Sequence, residues 1–116
     1  MYKTVGTHFL MDFWGVDAEL LDDKKRILAI LVTAAEKTHS QILGFKAHKF
    51  SPHGLTAVLL LAESHLSIHT YPEHNFAALD VYTCGSHTTP EKGVMYLKAS
   101  LKPKTFTIQK VKRGLN

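Results

Sequence analysis

The 116-residue chain has a single cysteine, Cys84. No disulfide can form within it, so packing must hold the fold, and a reducing, cytoplasmic home is expected. Long hydrophobic runs are also missing: the longest, Leu55 to Ala62 with Thr56 inside it, is too short to cross a bilayer. No membrane partner is expected, and Met1-Tyr2-Lys3-Thr4 lacks the apolar core of a signal peptide. Four prolines and a 45% hydrophobic content leave little room for a disordered tail or linker. Residues 1–116 are therefore expected to form one domain that buries about two thirds of its unfolded surface.

Charge is weakly one-sided, with fourteen Lys and Arg against ten Asp and Glu, a net +4. The resulting pI near 9.2 raises the question of nucleic acid. The distribution argues against it. Lys24, Lys25 and Arg26 open a predicted helix, and Lys46 and Lys49 lie on a predicted strand. Lys102, Lys104, Lys110, Lys112 and Arg113 do cluster, but their one aromatic, Phe106, reads as core. A solvated charged face explains the pattern, and no nucleic-acid partner is expected.

What is present is a strongly patterned chain. Thr4 to Trp14 is rich in β-branched and aromatic residues and is closed by Gly15, which predicts a first strand. Between Asp22 and Lys37, Ile27, Leu28, Ile30, Leu31, Ala34 and Ala35 recur at helical spacing behind the acids Asp22 and Asp23. Strands follow over Gln41 to Ser51 and Thr56 to Ala62, joined by the turn Pro52-His53-Gly54. A short strand from Leu66 to Tyr71, a turn at Pro72 to Asn75 and a strand from Phe76 to Cys84 come next. Thr89 is placed to cap a second helix with Pro90 at its first position, and Val94, Leu97 and Leu101 mark its buried face. Pro103 stops that helix before a last strand, Thr105 to Val111.

This order predicts an α+β fold, a two-layer α/β sandwich with a mainly antiparallel sheet and two helices on one face. The segment Thr56 to Ala62 is apolar at every second position on both faces, which a sheet wetted on one side would not tolerate. Two helices can cover one face. A second copy of the chain is the simplest cover for the other, giving a homodimer in an αββα arrangement.

The chemistry concentrates around Glu63-Ser64, where the apolar strand meets Ser64-His65-Leu66-Ser67-Ile68-His69-Thr70-Tyr71-Pro72-Glu73-His74. No Gly-x-Ser-x-Gly elbow surrounds Ser64, so a hydrolase nucleophile has no support. The carbonyl of Glu63 is a nearer target for the hydroxyl, and an oriented neighbour has a high effective concentration. Attack would form a five-membered ring that opens as an ester. Removal of the Ser64 α-proton would then expel the Glu63 carboxylate, leaving a dehydroalanine that hydrolyses to a pyruvoyl group and ammonia. His65, His69 and His74 match no zinc spacing, so no metal is expected. Taken singly, Ser64 reads as a strand-end serine, His69 as a structural histidine and Cys84 as an inert buried thiol.

The ordered set Ala62-Glu63-Ser64-His65-Leu66-Ser67-Ile68-His69-Thr70-Tyr71-Pro72-Glu73, then Ala77-Ala78-Leu79-Asp80-Val81-Tyr82-Thr83-Cys84-Gly85, resembles the processing and active-site region of the prokaryotic S-adenosylmethionine decarboxylases. His48-Lys49-Phe50-Ser51-Pro52-His53-Gly54, Gly6-Thr7-His8 and Lys112-Arg113-Gly114 resemble the same family. The resemblance implies a zymogen that cleaves itself between Glu63 and Ser64 into 1–63 and 64–116 chains, with Ser64 becoming a pyruvoyl cofactor and no pyridoxal phosphate required. It makes His69 the processing base and Cys84 the general acid of decarboxylation. The pyruvoyl ketone would form a Schiff base with the substrate's α-amine and draw in the electrons left by CO2. The implied substrate is S-adenosylmethionine, and the product supplies aminopropyl groups for spermidine and other polyamines.

Phe50, Thr56, Glu63, Tyr71 and Glu73 are the expected substrate-binding residues. Phe50 and Tyr71 offer flat surfaces to an adenine, and Glu63 and Glu73 could face the cationic parts of the substrate. Phe50 could come from the partner chain if the sites lie between protomers. Thr56 stands where many family members have serine, Tyr71 where many have tryptophan, and Asn75 where glycine is usual. Relatives on this scaffold decarboxylate arginine or ornithine, which is the alternative reading; a non-catalytic binding or regulatory homologue is a second. Strand alternation also puts Ser64 and His69 on opposite faces, so the chain is expected to bend between them.

Overall fold

A computed structural model describes residues 4–62, 64–85 and 87–114. Strand β1 (Gly6–Trp14) leads into a four-residue helix α1 (Ala18–Leu21), and α2 (Lys24–Lys37) follows at once. The approach to the main helix is thus itself helical. The Asp23 carboxylate accepts from the Arg26 backbone N–H at 3.1 Å and caps α2. Strands β2 (Ile42–Lys49) and β3 (Leu55–Leu61) form the expected hairpin, closed by Phe50 N–H donating to the Gly54 carbonyl at 2.8 Å. β4 runs from Ser64 to Tyr71, starting two residues earlier than the sequence suggests. A single 3-10 turn (Pro72–His74) and Asn75, in the left-handed conformation at φ 52°, reverse the chain into β5 (Phe76–Cys84). Helix α3 (Pro90–Leu101) and β6 (Thr105–Arg113) complete the chain.

The six strands form one sheet in the order β2-β3-β4-β5-β1-β6, and every neighbouring pair is antiparallel. Residues alternate inward and outward along β1, β3, β4 and β5. On the inner face Phe9, Met11, Phe13, Leu59, Leu66, Ile68, Leu79 and Val81 join Ile27, Leu31, Val94 and Leu97 of the helices in one core. The two-layer α+β prediction is met, with a third, short helix added.

The other face carries His8, Leu10, Trp14, Val58, Leu60, His65, His69, Tyr71, Asp80 and Tyr82 at the alternate positions. Leu60 is 55% exposed and Val58 39%. Within one chain, then, the second face of β3 is open. Phe106 also departs from expectation: 41% exposed near the sheet edge, it meets Phe13 edge-on, and Lys98 Nζ lies 4.0 Å from its ring centre. Thr89 occupies the cap position of α3, but its hydroxyl donates to the Lys37 carbonyl and ties α3 to the end of α2 instead. Among the described residues no helix is long and apolar enough to cross a membrane.

Candidate active site

Ser64 is the first residue of β4 and is 8% exposed. Its Oγ accepts the backbone N–H of Cys84 at 3.2 Å, so the predicted cleavage residue and the predicted acid stand together where β4 begins and β5 ends. Because that N–H occupies one lone pair, the hydroxyl keeps its own proton available to a base. The Cys84 side chain alternates to the outer face and is half-buried. Glu63 lies outside the described residues.

His69 is not part of this group. β4 pairs without a break from Thr70 opposite Leu55 to Ser64 opposite Leu61, so the expected bend is absent. At about 3.3 Å per residue, His69 lies about 17 Å along the strand from Ser64, on the opposite face. An unbroken ladder on both sides of β4 prevents the kink. His69 Nδ1 instead meets the Thr56 hydroxyl at 3.1 Å across the β3–β4 pair. The two residues therefore stand together at the other end of the sheet, on the outer face. Beside it, a hollow of about 310 Å³ is lined by Leu10, Asp12, Ser67, His69, Ala78 and Asp80, among others.

The remaining expected binding residues lie near the His69 end. Tyr71 follows His69 by two positions on β4, and its ring lies 5.6 Å from Phe76, which in turn stacks at 4.1 Å on Trp14. Phe50, 46% exposed, sits edge-on to His48 at 4.6 Å on the loop after β2. Asp22 anchors that loop by accepting from Gly54 N–H at 2.8 Å and pairing with Lys49 Nζ at 2.9 Å. The Gly54 bond first, and Lys49 second, hold its carboxyl below the ordinary value. Glu73 faces His53 at 3.5 Å, so this carboxylate is directed toward the Phe50 loop and is not simply free in water.

A cluster that sequence reasoning missed occupies the middle of the outer face. Asp80 Oδ2 accepts from His8 Nε2 at 2.7 Å and from His65 Nε2 at 2.8 Å, while Oδ1 accepts from the Ser67 hydroxyl. Burial raises the Asp80 carboxyl, but the bonds from Ser67, His65 and His8 outweigh it and leave the group below its ordinary value. Arg113 lies 3.4 Å from His8 Nδ1 and can only donate, so His8 carries its proton on Nε2, toward Asp80. The trio's ligand atoms lie within 4.8 Å of one another, a donor set able to hold a metal, although the Arg113 guanidinium beside His8 opposes a cation there. Neither His69 nor His74 belongs to this trio. The signal for the cluster was an acid in the middle of the otherwise apolar Ala77-Ala78-Leu79-Asp80-Val81, but its partners are distant in sequence.

The S-adenosylmethionine decarboxylase family profile matches residues 7–114. The chain is 47% identical over 114 residues to S-adenosylmethionine decarboxylase proenzyme 2 of Bacillus cereus, covering 98% of this chain and 93% of that one. It is 42% identical over 113 residues to the S-adenosylmethionine decarboxylase proenzyme of Methanococcus maripaludis, covering 97% and 93%. The crystal structure of the adenosylmethionine decarboxylase from Aquifex aeolicus superposes with a TM-score of 0.91 at 39% identity, covering 99% of this chain and 95% of the other. This chain belongs to the S-adenosylmethionine decarboxylase family.

Proposed function

We propose that the chain is a self-cleaving decarboxylase of S-adenosylmethionine that makes a pyruvoyl group from Ser64, releases CO2, and supplies the aminopropyl donor of spermidine synthesis in the cytoplasm. The observation that carries this reading is the Ser64–Cys84 pair at the head of β4, in a chain of this family. The residues suit the group: Ser64 is buried, is held by the Cys84 amide, and would become the first residue of the 64–116 chain. When formed, the ketone supplies an electron sink for the carbanion left by CO2. Cys84, half-buried at the same strand end, returns a proton to the α-carbon. Phe50 and Tyr71 flank the adenine, Glu63 and Glu73 bind the substrate's cationic groups, and Thr56 orients His69, the base that assists cleavage.

The separation of His69 from Ser64 favours a homodimer. A two-fold axis crossing the middle of β4 and lying between two face-to-face sheets would exchange the strand ends. His69 and Thr56 of one protomer would then stand opposite the end of the partner's sheet where Ser64 begins β4 and Cys84 closes β5, with sheets about 10 Å apart. Leu10, Val58 and Leu60, exposed in the single chain, would be buried between them. Purified protein should separate by mass into 1–63 and 64–116 fragments and release CO2 from S-adenosylmethionine faster than from ornithine or arginine. A lasting intact chain of 13.0 kDa would overturn self-cleavage, and faster turnover of either basic amino acid would overturn the substrate.

A further inference from the structure

We propose that Asp80 is a positioning residue that fixes the head of β4 once the chain is cut. This rests on the self-cleavage reading above. Before scission, Ser64 is held by the chain on both sides. Afterwards it becomes a chain end, and strand ends fray unless tied. A ketone displaced by about 1 Å can cost about 10²-fold in rate, so the tie matters to chemistry as well as to folding.

Asp80 is placed to be that tie. Its carboxylate accepts from His65, the second residue after the scissile bond, and from Ser67, the fourth. Both donors would lie in the 64–116 chain, as Asp80 itself does. Its third donor, His8 on β1, would belong to the 1–63 chain. One carboxylate therefore grips the new end of β4 and locks it to the other fragment. The side chains of Asp80 and His8 are 19% and 14% exposed, so water competes poorly for the bond that joins the two fragments. His8 is braced in turn by Arg113 from β6. The titratable and charged groups facing Asp80 are thus His8, His65 and, behind His8, Arg113. The backbone ladder alone does not set the direction of the first side chain; the His65 and Ser67 bonds constrain the pleat on the face toward which Cys84 also points.

Hydrogen exchange by mass spectrometry, with kcat and KM for S-adenosylmethionine, tests this on Asp80→Asn in two backgrounds, the cleaved enzyme and the uncleavable Ser64→Ala chain. In the cleaved enzyme we expect the amides just after residue 64 to exchange faster, and kcat to fall by about tenfold or more with KM little changed. In the Ser64→Ala background the same amides should exchange as they do with Asp80 intact, because the continuous chain holds them. Equal acceleration in both backgrounds would reduce Asp80 to a structural role and overturn the proposal, as would unchanged exchange and kcat in the cleaved enzyme. His65→Leu removes one arm of the clamp and should give the same split if Asp80→Asn fails to fold. A wild-type chain that never cleaves would overturn the processing reading and this inference with it.

Discussion

The roles proposed for Ser64 and Cys84 can be separated by substitution. Ser64→Ala removes both the attacking hydroxyl and the precursor of the ketone, so that variant should remain a single chain by mass and release no CO2. Cys84→Ala leaves Ser64 its hydroxyl and takes away only the thiol; the Cys84 bond to Ser64 comes from the backbone and survives. That variant should cleave yet turn over about 10²-fold or more slowly, the scale of a lost general acid. Normal turnover would remove Cys84 from the acid role. Asp80 adds a pH dependence. Its folded-state value is lowered, so its stabilisation is present above the ordinary carboxylate value of 3.8 and is lost as pH falls through the folded value. The stability gap between wild type and Asp80→Asn, read from denaturant unfolding, should therefore be widest near neutrality and close in acid. A gap that widened in acid would contradict the three-donor description of this carboxylate.

At the scale of elements, the helices are set by one close approach. Gly93 of α3 lies against α2, and a Cβ there would meet Thr38 Cγ2 at 2.5 Å and the Ala34 carbonyl oxygen at 3.0 Å. Alanine for glycine inside a helix usually gains about 0.5–1 kcal/mol. Here the clash includes backbone, and overpacking of about 1–3 kcal/mol wins. Gly93→Ala should therefore lower the denaturant midpoint with little change in slope; a raised midpoint would mean that the helices can separate. Element types were legible from the sequence because hydrophobic period and turn residues agreed at each step: Pro52-His53-Gly54 for the hairpin, Pro90 for the start of α3, Pro103 for its end. What depended on distant partners was not legible. The Thr89 hydroxyl donates to the Lys37 carbonyl of α2 and caps no amide of its own helix. Ser64, His69 and Cys84 stand out in the sequence as candidates, but the bend thought necessary to join the first two is excluded by ladders whose register no local pattern reveals. The Asp80 cluster stayed hidden for the same reason, since its donors sit at positions 8, 65 and 67 on two other strands.

At the scale of the whole molecule, the outer sheet face poses a question that one chain cannot answer. It exposes Leu10, Val58 and Leu60, with the Thr56–His69 pair at one strand end and the Ser64–Cys84 contact, proposed as the complementary half-site, at the other. If a two-fold axis brings the half-sites together, cleavage at Ser64 depends on the His69 of the other protomer. Leu60→Lys would place a charge between the sheets. It should shift sedimentation toward the monomer and slow cleavage, although Leu60 lies in neither half-site. A sharper test uses two damaged chains. Ser64→Ala keeps His69 but has no cleavable serine, and His69→Ala keeps Ser64 but lacks the base, so each alone should cleave poorly or not at all. After mixing under conditions that exchange subunits, mixed dimers place the intact His69 of the first chain opposite the intact Ser64 of the second. Fragments should then appear, and by mass they should derive only from the His69→Ala chain. If subunits exchange and no fragments form, Ser64 and His69 must act within one chain, and the face-to-face arrangement with shared sites is wrong.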